Sequence, residues 1–285
     1  MEATVKKHLV WIALVLSCHG GVLAAGAVLK SDPLYSIADD ARINLSNARE
    51  ALKRHRLIFV GERHTDPMHH AMQLAVIRTL VEAGAPVAIG MEMFRSDAQP
   101  DLDQWTSGQM EAGDFQRIYY DNWNFDWSLY APILEYARDR RLPVVGLNLS
   151  RAITQQVAKN GFKSLSEAQR GKLDEVACRV DKTYMDFIRN AYGAHAHGQL
   201  DFTFFCEAQL VWDNTMAINA IDYLTANPET IMVVITGNGH AWKGGIPAQV
   251  KKRSALPYTV ILPEIDEITE PGIIDIEDAD YIFLK

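Results

Sequence analysis

The stretch LIFVGERHTDP, residues 57–67, decides the fold class because a strand signal, a polar loop and a helix start follow one another within it. Residues 57–61 form a continuous apolar run, which is typical of a strand buried on both faces of a parallel sheet. Asp66 and Pro67 are residue types that begin a helix, and the apolar pattern after them continues until Gly84. The stretch therefore predicts a strand–loop–helix unit of an α/β fold.

The same alternation continues along the chain. Further strands are predicted at 86–91, 142–147, 231–236 and 258–262, with an edge strand at 280–284. Helices are predicted at about 97–107, 126–141 and 246–253. Residues 150–227 show helical patterns only and are far longer than a crossover needs. The expected architecture is an α/β domain (28–149 and 228–285) with a mostly parallel sheet flanked by helices and an inserted all-helical subdomain (150–227).

Composition excludes several classes of protein. The chain has 285 residues, of which 48% are apolar and 22% charged, and this balance rules out a disordered, collagen-like or multi-pass membrane protein. The formal net charge is −8 and no basic run compensates for it, so nucleic acid is not an expected partner.

The first residues read as a targeting segment. Lys6 and Lys7 precede an apolar run at 9–16 that is too short to span a bilayer. A basic start followed by a short apolar core is the pattern of a secretory signal, predicted here for 1–27.

The sequence is compatible with two ways of processing this signal segment. Ser17 directly before Cys18 resembles a bacterial lipobox, in which case Cys18 receives lipid and the lipid is the only attachment to a membrane. The alternative is ordinary cleavage after Ala24 or Ala27. In either case Cys178 and Cys206 remain, and they form a disulfide in an oxidising compartment or stay as two buried thiols.

Polar side chains follow four successive strands. Glu62 and His64 come after the first strand, Glu92 after the second, Asn148 after the third and His240 after the fourth. The carboxyl ends of parallel strands form the ligand crevice, so these residues are expected at one edge. Two carboxylates and two imidazoles suit a divalent metal ion or general acid–base chemistry. The alternative is a polar network that only closes the top of the sheet.

A second group of candidates lies in the helical region. Tyr184, Tyr192 and His195 are spaced to share one face of a helix, and His197 follows closely. An aromatic stripe of this kind is core, or it lines a flat apolar ligand pocket with a tyrosine or histidine ligand. Tyrosinate is a recognised axial ligand of haem iron.

The predicted helix at 201–225 carries two polar residues on or beside its apolar stripe. These are Gln209 and Asp213, and each needs a partner if it is buried. The partner is the cluster at the sheet edge, or else a helix N-terminus or backbone group.

Two further segments are interpreted as structural. The aromatic stretch 119–124 is predicted to be a loop that acts as a packed cover beside the crevice. His69 and His70, at the start of the first helix, are predicted to lie on the surface.

In these motifs the sequence resembles the ChaN-like haem-binding lipoproteins. The resemblance covers about residues 40–262 together with the signal segment. The motifs that carry it are Gly61-Glu62-x-His64, Gly90-Met91-Glu92-Met93-Phe94, Asn148, Gln209 with Asp213-x-x-Met216-Ala217, and Gly237-Asn238-Gly239-His240.

The resemblance implies an outer-membrane lipoprotein that takes part in iron or haem uptake. Its cofactor would be haem, held as a cofacial pair between two protomers of a homodimer, with a tyrosine on each iron. An outer-membrane haem receptor is a further candidate partner. Tyr184 or Tyr192 is the expected iron ligand because both lie near His195 and His197, and a histidine or lysine would neutralise the haem propionates.

Haem binding does not account for the cluster at the sheet edge. That cluster is similar to sites of a wider superfamily that includes erythromycin esterases and Tiki-type metalloproteases. The preferred hypothesis is a haem-binding protein of the bacterial envelope with no chemistry of its own. The first alternative is a metal-dependent hydrolase in which Glu62, His64, Glu92 and His240, with Asn148, bind a divalent ion or activate water. The second is a lipid-anchored interaction module.

Overall fold

One eight-stranded sheet organises the computed structural model, which describes residues 33–174, 176–180, 182–195 and 201–285. The strands are β1 (Pro33–Ser36), β2 (Ala41–Asn44), β3 (Leu57–Glu62), β4 (Val87–Arg95), β5 (Val144–Asn148), β6 (Ile231–Gly237), β7 (Tyr258–Pro263) and β8 (Tyr281–Phe283). Their order is β2-β1-β8-β7-β3-β6-β4-β5. All neighbours from β8 to β5 are parallel, whereas β1 is antiparallel to β2 and β8. The sheet is therefore mostly parallel, as predicted.

The helices fill the connections between these strands. They are α1 (Leu45–Leu52), α2 (Pro67–Glu82), α3 (Gln99–Thr106), α4 (Ala112–Asn122), α5 (Trp127–Arg140), α6 (Arg151–Asn160), α7 (Glu167–Arg170), α8 (Lys182–His195), α9 (Phe202–Ala226), α10 (Asn238–Ala241) and α11 (Ile246–Arg253). Within the described ranges, none of these helices combines the length and apolar character needed to cross a membrane.

The core lies on both faces of the sheet. Along β3, Ile58 and Val60 face the layer of α1 to α5, while Leu57 and Phe59 face the layer of α9 and α11. Successive strand residues point to opposite faces, so a strand covered on both sides must be apolar throughout. The continuous apolar run in the sequence has this physical origin.

The start and the end of α2 follow from local chemistry. The Asp66 side chain accepts a hydrogen bond from the Met68 backbone N–H at 2.9 Å, and Pro67 occupies the first turn. Beyond the other end, Gly84 has φ of +73°, a conformation that favours glycine. Both ends lie where the sequence predicts them.

A third apolar cluster holds the helical region together. Tyr184 and Ile188 of α8 pack there with Phe205 from the first half of α9. The second half of α9 turns to the sheet, where Met216 and Ala220 join the core of the α/β layers. Because α9 belongs to both clusters, it links the helices of 150–227 to the sheet.

A disulfide joins Cys178 to Cys206, with their Cα atoms 5.5 Å apart. It connects the segment before α8 to the first turns of α9. Of the two alternatives for this pair, the structure has the covalent one.

Three details differ from the prediction. Residues 281–283 form β8, an internal strand rather than an edge strand, because the short β1 pairs with its outer side. Most of the stretch 119–124 is the end of helix α4, which continues to Asn122, and not a loop. The glycine-rich segment after β6 contains the one-turn helix α10. Four-residue elements of this kind carry too little periodicity to be recognised.

Candidate functional site

The carboxyl ends of β3 to β6 meet at one edge of the sheet and bring the predicted residues together. Glu62 is the last residue of β3, Asn148 the last of β5, and His240 lies in α10 directly after β6. Glu92 lies inside β4 rather than past its end, because β4 continues to Arg95 with an irregular register against β5.

Glu62 is the centre of the first half of this cluster. Its carboxylate is buried and accepts a hydrogen bond from the Tyr130 hydroxyl at 2.5 Å. Nδ1 of His64 lies 2.7 Å from one oxygen, and Nδ1 of His70 lies 2.8 Å from the other. Burial alone would raise the pKa of Glu62, but the two imidazoles outweigh it and lower the pKa to about 2.

His64 is the more accessible imidazole, with 27% of its side chain exposed. Its ring contacts both Trp123 and Phe125, at centroid distances of 5.1 and 4.9 Å. Trp123 therefore brings the end of the aromatic stretch 119–124 against the sheet-edge cluster. Burial lowers the pKa of His64, but the hydrogen bond to Glu62 and the charge of Glu92 raise it above its ordinary value.

Glu92 is held by the start of the loop after β6. Its Oε2 accepts hydrogen bonds from the Thr236 hydroxyl at 2.6 Å and the Gly237 backbone N–H at 2.7 Å. Its Oε1 lies 3.9 Å from Nε2 of His240. The Asn148 amide donates to the backbone carbonyl of Glu92 at 2.8 Å, so Asn148 positions the strand and its side chain bonds no other cluster residue.

Asp213 and His240 form the second half of the cluster. Nδ1 of His240 lies 2.7 Å from Asp213 Oδ1, and the Tyr184 hydroxyl donates to Oδ2. Burial raises the pKa of Asp213. Burial would lower that of His240, but Glu92 and Asp213 raise the pKa to about 9. The expected link between Asp213 and the sheet edge is therefore present. Gln209 is half-buried, and its side chain makes no hydrogen bond within the described part of the chain.

The two tyrosine candidates occupy different environments. Tyr184 is fully buried and its hydroxyl is bound to Asp213. Tyr192, two turns further along α8, is half-buried, and its ring lies 5.4 Å from that of Phe202 and 5.5 Å from that of Phe205. Tyr192 is therefore the more exposed of the two candidates.

Other candidates lie outside the described residues. They are the signal segment 1–27 with Cys18, and His197. His195 is the last residue of α8, and its side chain is likewise outside the description.

Two residues of the cluster were not expected from the sequence. The prediction that His69 and His70 lie on the surface is wrong, since they are 6% and 3% exposed. The start of α2 folds back over the end of β3, which places His70 against Glu62 and lets His69 accept from the Arg63 backbone N–H at 2.9 Å. Tyr130 lies on the apolar face of α5, so its sequence position indicates a core residue. Its hydrogen bond to Glu62 depends on tertiary packing and has no local signal in the sequence.

His64 and His240 are held in the same way. Each has its Nδ1 held by a buried carboxylate, and each of those carboxylates also accepts a tyrosine hydroxyl. A carboxylate that binds Nδ1 fixes the orientation and tautomer of the ring, so that Nε2 is the nitrogen available to accept or donate a proton. Among the described residues, no group of three or more His, Cys, Asp or Glu side chains is arranged to hold a metal ion.

Residues 48–250 match the model of a protein family described as haem-binding uptake, Tiki superfamily, ChaN. The chain belongs to this family. Among solved structures, this chain is similar to that of ChaN from Campylobacter jejuni, with a TM-score of 0.71 and 18% identity. The Campylobacter protein is described as binding haem cofacially. That similarity covers 89% of this chain and 96% of the other, and it shows the shared fold.

Two further proteins show weaker similarity to this chain. An erythromycin esterase, EreC, is similar at a TM-score of 0.47 and 15% identity, over 74% of this chain and 70% of the other. The chloroplastic protein RETICULATA-RELATED 5 of Arabidopsis thaliana is 23% identical over 72% of this ChaN-family chain. The ChaN-family chain spans 30% of that protein's length.

Proposed function

We propose that this protein binds haem in the bacterial cell envelope and serves haem or iron uptake. The observation that carries the proposal is membership of the haem-binding ChaN family over residues 48–250. The fold shared with ChaN of Campylobacter jejuni supports it.

Tyr192 is the proposed iron ligand. Its phenol is half-buried beside Phe202 and Phe205, which offer apolar surface to a macrocycle. The Arg189 guanidinium lies 5.1 Å from the centre of the Phe202 ring and supplies a cation for a propionate. A tyrosinate ligand favours ferric iron. Tyr184 fits this role poorly because its hydroxyl is buried on Asp213.

Two copies of the chain would share the haem. The cofacial arrangement described for the Campylobacter protein supports a homodimer in which each copy contributes one Tyr192. An outer-membrane haem receptor remains the proposed further partner.

The proposed location is outside the inner membrane, with lipid on Cys18 as the anchor. The basic start and short apolar core of residues 1–27 support export. The disulfide between Cys178 and Cys206 supports an oxidising compartment. Mass spectrometry of the mature N-terminus tests the lipid anchor. A diacylglyceryl group on Cys18 supports lipidation, whereas a mature chain that begins after Ala24 contradicts lipidation.

A titration of the purified protein with hemin, followed by visible absorption, tests haem binding. We expect saturable binding with a ferric, tyrosinate-type spectrum. Weak binding that does not saturate, equal to that of an unrelated acidic protein, would contradict the proposal.

A second candidate function is acid–base hydrolysis at the sheet edge. The observation that favours it is the convergence of two oriented imidazoles beside Glu92. Nε2 of His240 lies 3.9 Å from Glu92 Oε1, and the His64 ring lies beside Gly237, whose backbone N–H donates to Glu92 Oε2. A protonated imidazole donates to a leaving group, and a neutral one removes a proton from water. No divalent ion is proposed for this site, because the described residues form no metal-binding group.

Ester and peptide substrates test this second candidate. His240→Ala or Glu62→Gln should abolish any turnover, while Tyr192→Phe should leave it unchanged. Equal turnover in all three variants would exclude the cluster as its source.

A further inference from the structure

The disulfide closes a loop of chain that contains the side chains proposed to contact haem. Cys178 and Cys206 are 28 residues apart, and helix α8 lies wholly between them. The proposed haem contacts fall within the same interval: Arg189, Tyr192, Phe202 and Phe205. The state of this one bond therefore bears on the whole proposed haem site.

The two sulfurs of the bond differ in exposure. Cys206 is 0% exposed and lies in the apolar cluster of the helical region, whereas Cys178 is half-buried and packs against that cluster. Thiol–disulfide exchange begins when an external thiolate reaches one of the sulfurs, so access decides which sulfur is attacked. Sγ of Cys178 is therefore the point of attack, and Cys206 is the sulfur that leaves.

Cys206 is adjacent to one wall of the proposed haem site. It follows Phe205 on α9, and the Phe205 ring lies 5.5 Å from that of Tyr192. Cys178 and Tyr192 pack against the same apolar cluster, from the segment before α8 and from α8 itself. Breaking the bond therefore releases one end of the loop from α9 beside these contacts.

Loop closure affects how often the haem contacts are assembled. A cross-link removes open arrangements of the chain between its ends, and a region without one opens more easily while the rest of the protein stays folded. A ligand that needs Tyr192, Phe202 and Phe205 together binds the closed arrangement, so its apparent affinity falls with the population of that arrangement. The hydrogen bond from Tyr184 to Asp213 holds the first turn of α8 in either state of the disulfide.

We propose that the Cys178–Cys206 disulfide is a redox switch on haem affinity. The oxidised protein retains haem, and reduction by a dithiol protein of the thioredoxin class releases it. This inference rests on the proposed binding of haem at Tyr192.

The switching step is an ordinary exchange of sulfur bonds. A thiolate of the reductant attacks Sγ of Cys178, the bond to Cys206 breaks, and Cys206 leaves as a thiolate that takes up a proton. The second thiol of the reductant then displaces Cys178 from the mixed disulfide. The protein gains two electrons and two protons, and the reductant becomes a disulfide.

Hemin titration of the oxidised and the reduced protein, followed by visible absorption, tests the switch. Reduction is carried out without oxygen by a phosphine, which is removed before hemin is added. We expect the affinity of the reduced protein to be about tenfold or more weaker, because the closed loop is less populated. The double variant Cys178→Ser/Cys206→Ser should show the same weak affinity whether or not it is treated with the phosphine. If that variant does not fold, the reduced native protein still gives the comparison.

Leu52→Ala is the matched control for a general loss of stability. Leu52 is a fully buried residue of α1 in the core on the other face of the sheet, so its truncation destabilises the protein without touching the loop. Its affinity for hemin should equal that of the native protein. An equal weakening in Leu52→Ala and in the reduced protein would assign the effect to global stability and overturn the switch.

The coupling is reciprocal, so bound porphyrin should stabilise the disulfide. A tenfold difference in affinity predicts that saturating gallium protoporphyrin, a porphyrin whose metal is not reduced, lowers the midpoint potential of the bond by about 30 mV. Trapping of free thiols with a maleimide polymer in dithiol redox buffers measures this shift. An unchanged midpoint would contradict the coupling.

The outcomes separate this inference from the proposed function. Equal hemin affinity of the oxidised and reduced protein would overturn the switch and leave haem binding intact. The absence of saturable hemin binding to the oxidised protein would reject haem binding itself, and the switch with it. A disulfide that reduced thioredoxin does not open in the folded protein would show that the bond is structural and overturn the switch.

Discussion

Nδ1 of His240 lies 2.7 Å from Oδ1 of Asp213, and this contact joins the edge of the sheet to the middle of helix α9. The Tyr184 hydroxyl binds the other oxygen of the same carboxylate. A buried chain of three side chains therefore connects the residues after β6 to α8, the helix that carries Tyr192. The sheet-edge cluster and the proposed haem ligand are parts of one connected structure.

Tyr184→Phe should destabilise the protein by about 1–3 kcal/mol, because it leaves an oxygen of the buried Asp213 without its donor. Chemical denaturation followed by circular dichroism measures this loss. Tyr258→Phe is the control, since that half-buried hydroxyl has no hydrogen bond among the described residues, and its cost should stay within about 0.5 kcal/mol. Equal stability of the two variants would contradict a structural role for the Tyr184 hydroxyl.

His240 should titrate far above an ordinary histidine. Its pKa is raised to about 9 because the attraction of Glu92 and Asp213 exceeds the cost of burial. Nuclear magnetic resonance of labelled imidazoles should show this midpoint in the native protein and a lower one in Asp213→Asn. A midpoint near 6.5 in the native protein would contradict the pairing.

The same pairing predicts how stability depends on pH. The folded pKa of His240 exceeds its unfolded value near 6.5, so its contribution is fully present below about pH 6.5 and is lost as pH rises through about 9. The melting temperature should fall over that interval, and His240→Gln should flatten the fall. An identical slope in the variant would assign the pH dependence to other groups.

Reduction of the disulfide should cost about 3 kcal/mol of stability, because Cys178 and Cys206 are 28 residues apart and the bond restricts the unfolded chain. Denaturation with and without dithiothreitol measures the change. The double variant Cys178→Ser/Cys206→Ser is the control, and the reductant should have no further effect on it. A native protein insensitive to the reductant would argue that the bond does not stabilise it.

Gly237→Ala should displace the imidazole of His64. A Cβ at this position would lie 3.0 Å from Cε1 and 3.2 Å from Nε2 of His64. The shift should appear in the resonances of His64 and as a small loss of stability. Gly113→Ala, at an open and exposed position of α4, should show neither effect. Unchanged His64 resonances in Gly237→Ala would show that the ring does not lie against Gly237.

Much of the fold was accessible from the sequence because its signals are local. The apolar runs of β3 to β7 and the first turn of α2 depend on neighbouring residues, and the structure has them where they were expected. β1 was missed because four residues carry little pattern, and its pairing with β8 is a contact between the two ends of the described chain.

Only some residues of the candidate site could be predicted from the sequence. Glu62, His64, Glu92 and His240 lie within or directly after strands, so the topology of a parallel sheet places them together. His70 and Tyr130 lie on helices, and their approach to Glu62 depends on how α2 and α5 pack. The position of Glu92 within its strand likewise follows from a shift in register that no local pattern indicates.

The visible spectrum of the hemin-loaded protein, compared between Tyr192→Phe and Tyr184→Phe, tests the central claim most directly. The account predicts that the unaltered protein and Tyr184→Phe share a ferric, tyrosinate-type spectrum, and that Tyr192→Phe loses it while remaining folded. A tyrosinate spectrum that persists in Tyr192→Phe, or that disappears only in Tyr184→Phe, would contradict Tyr192 as the ligand.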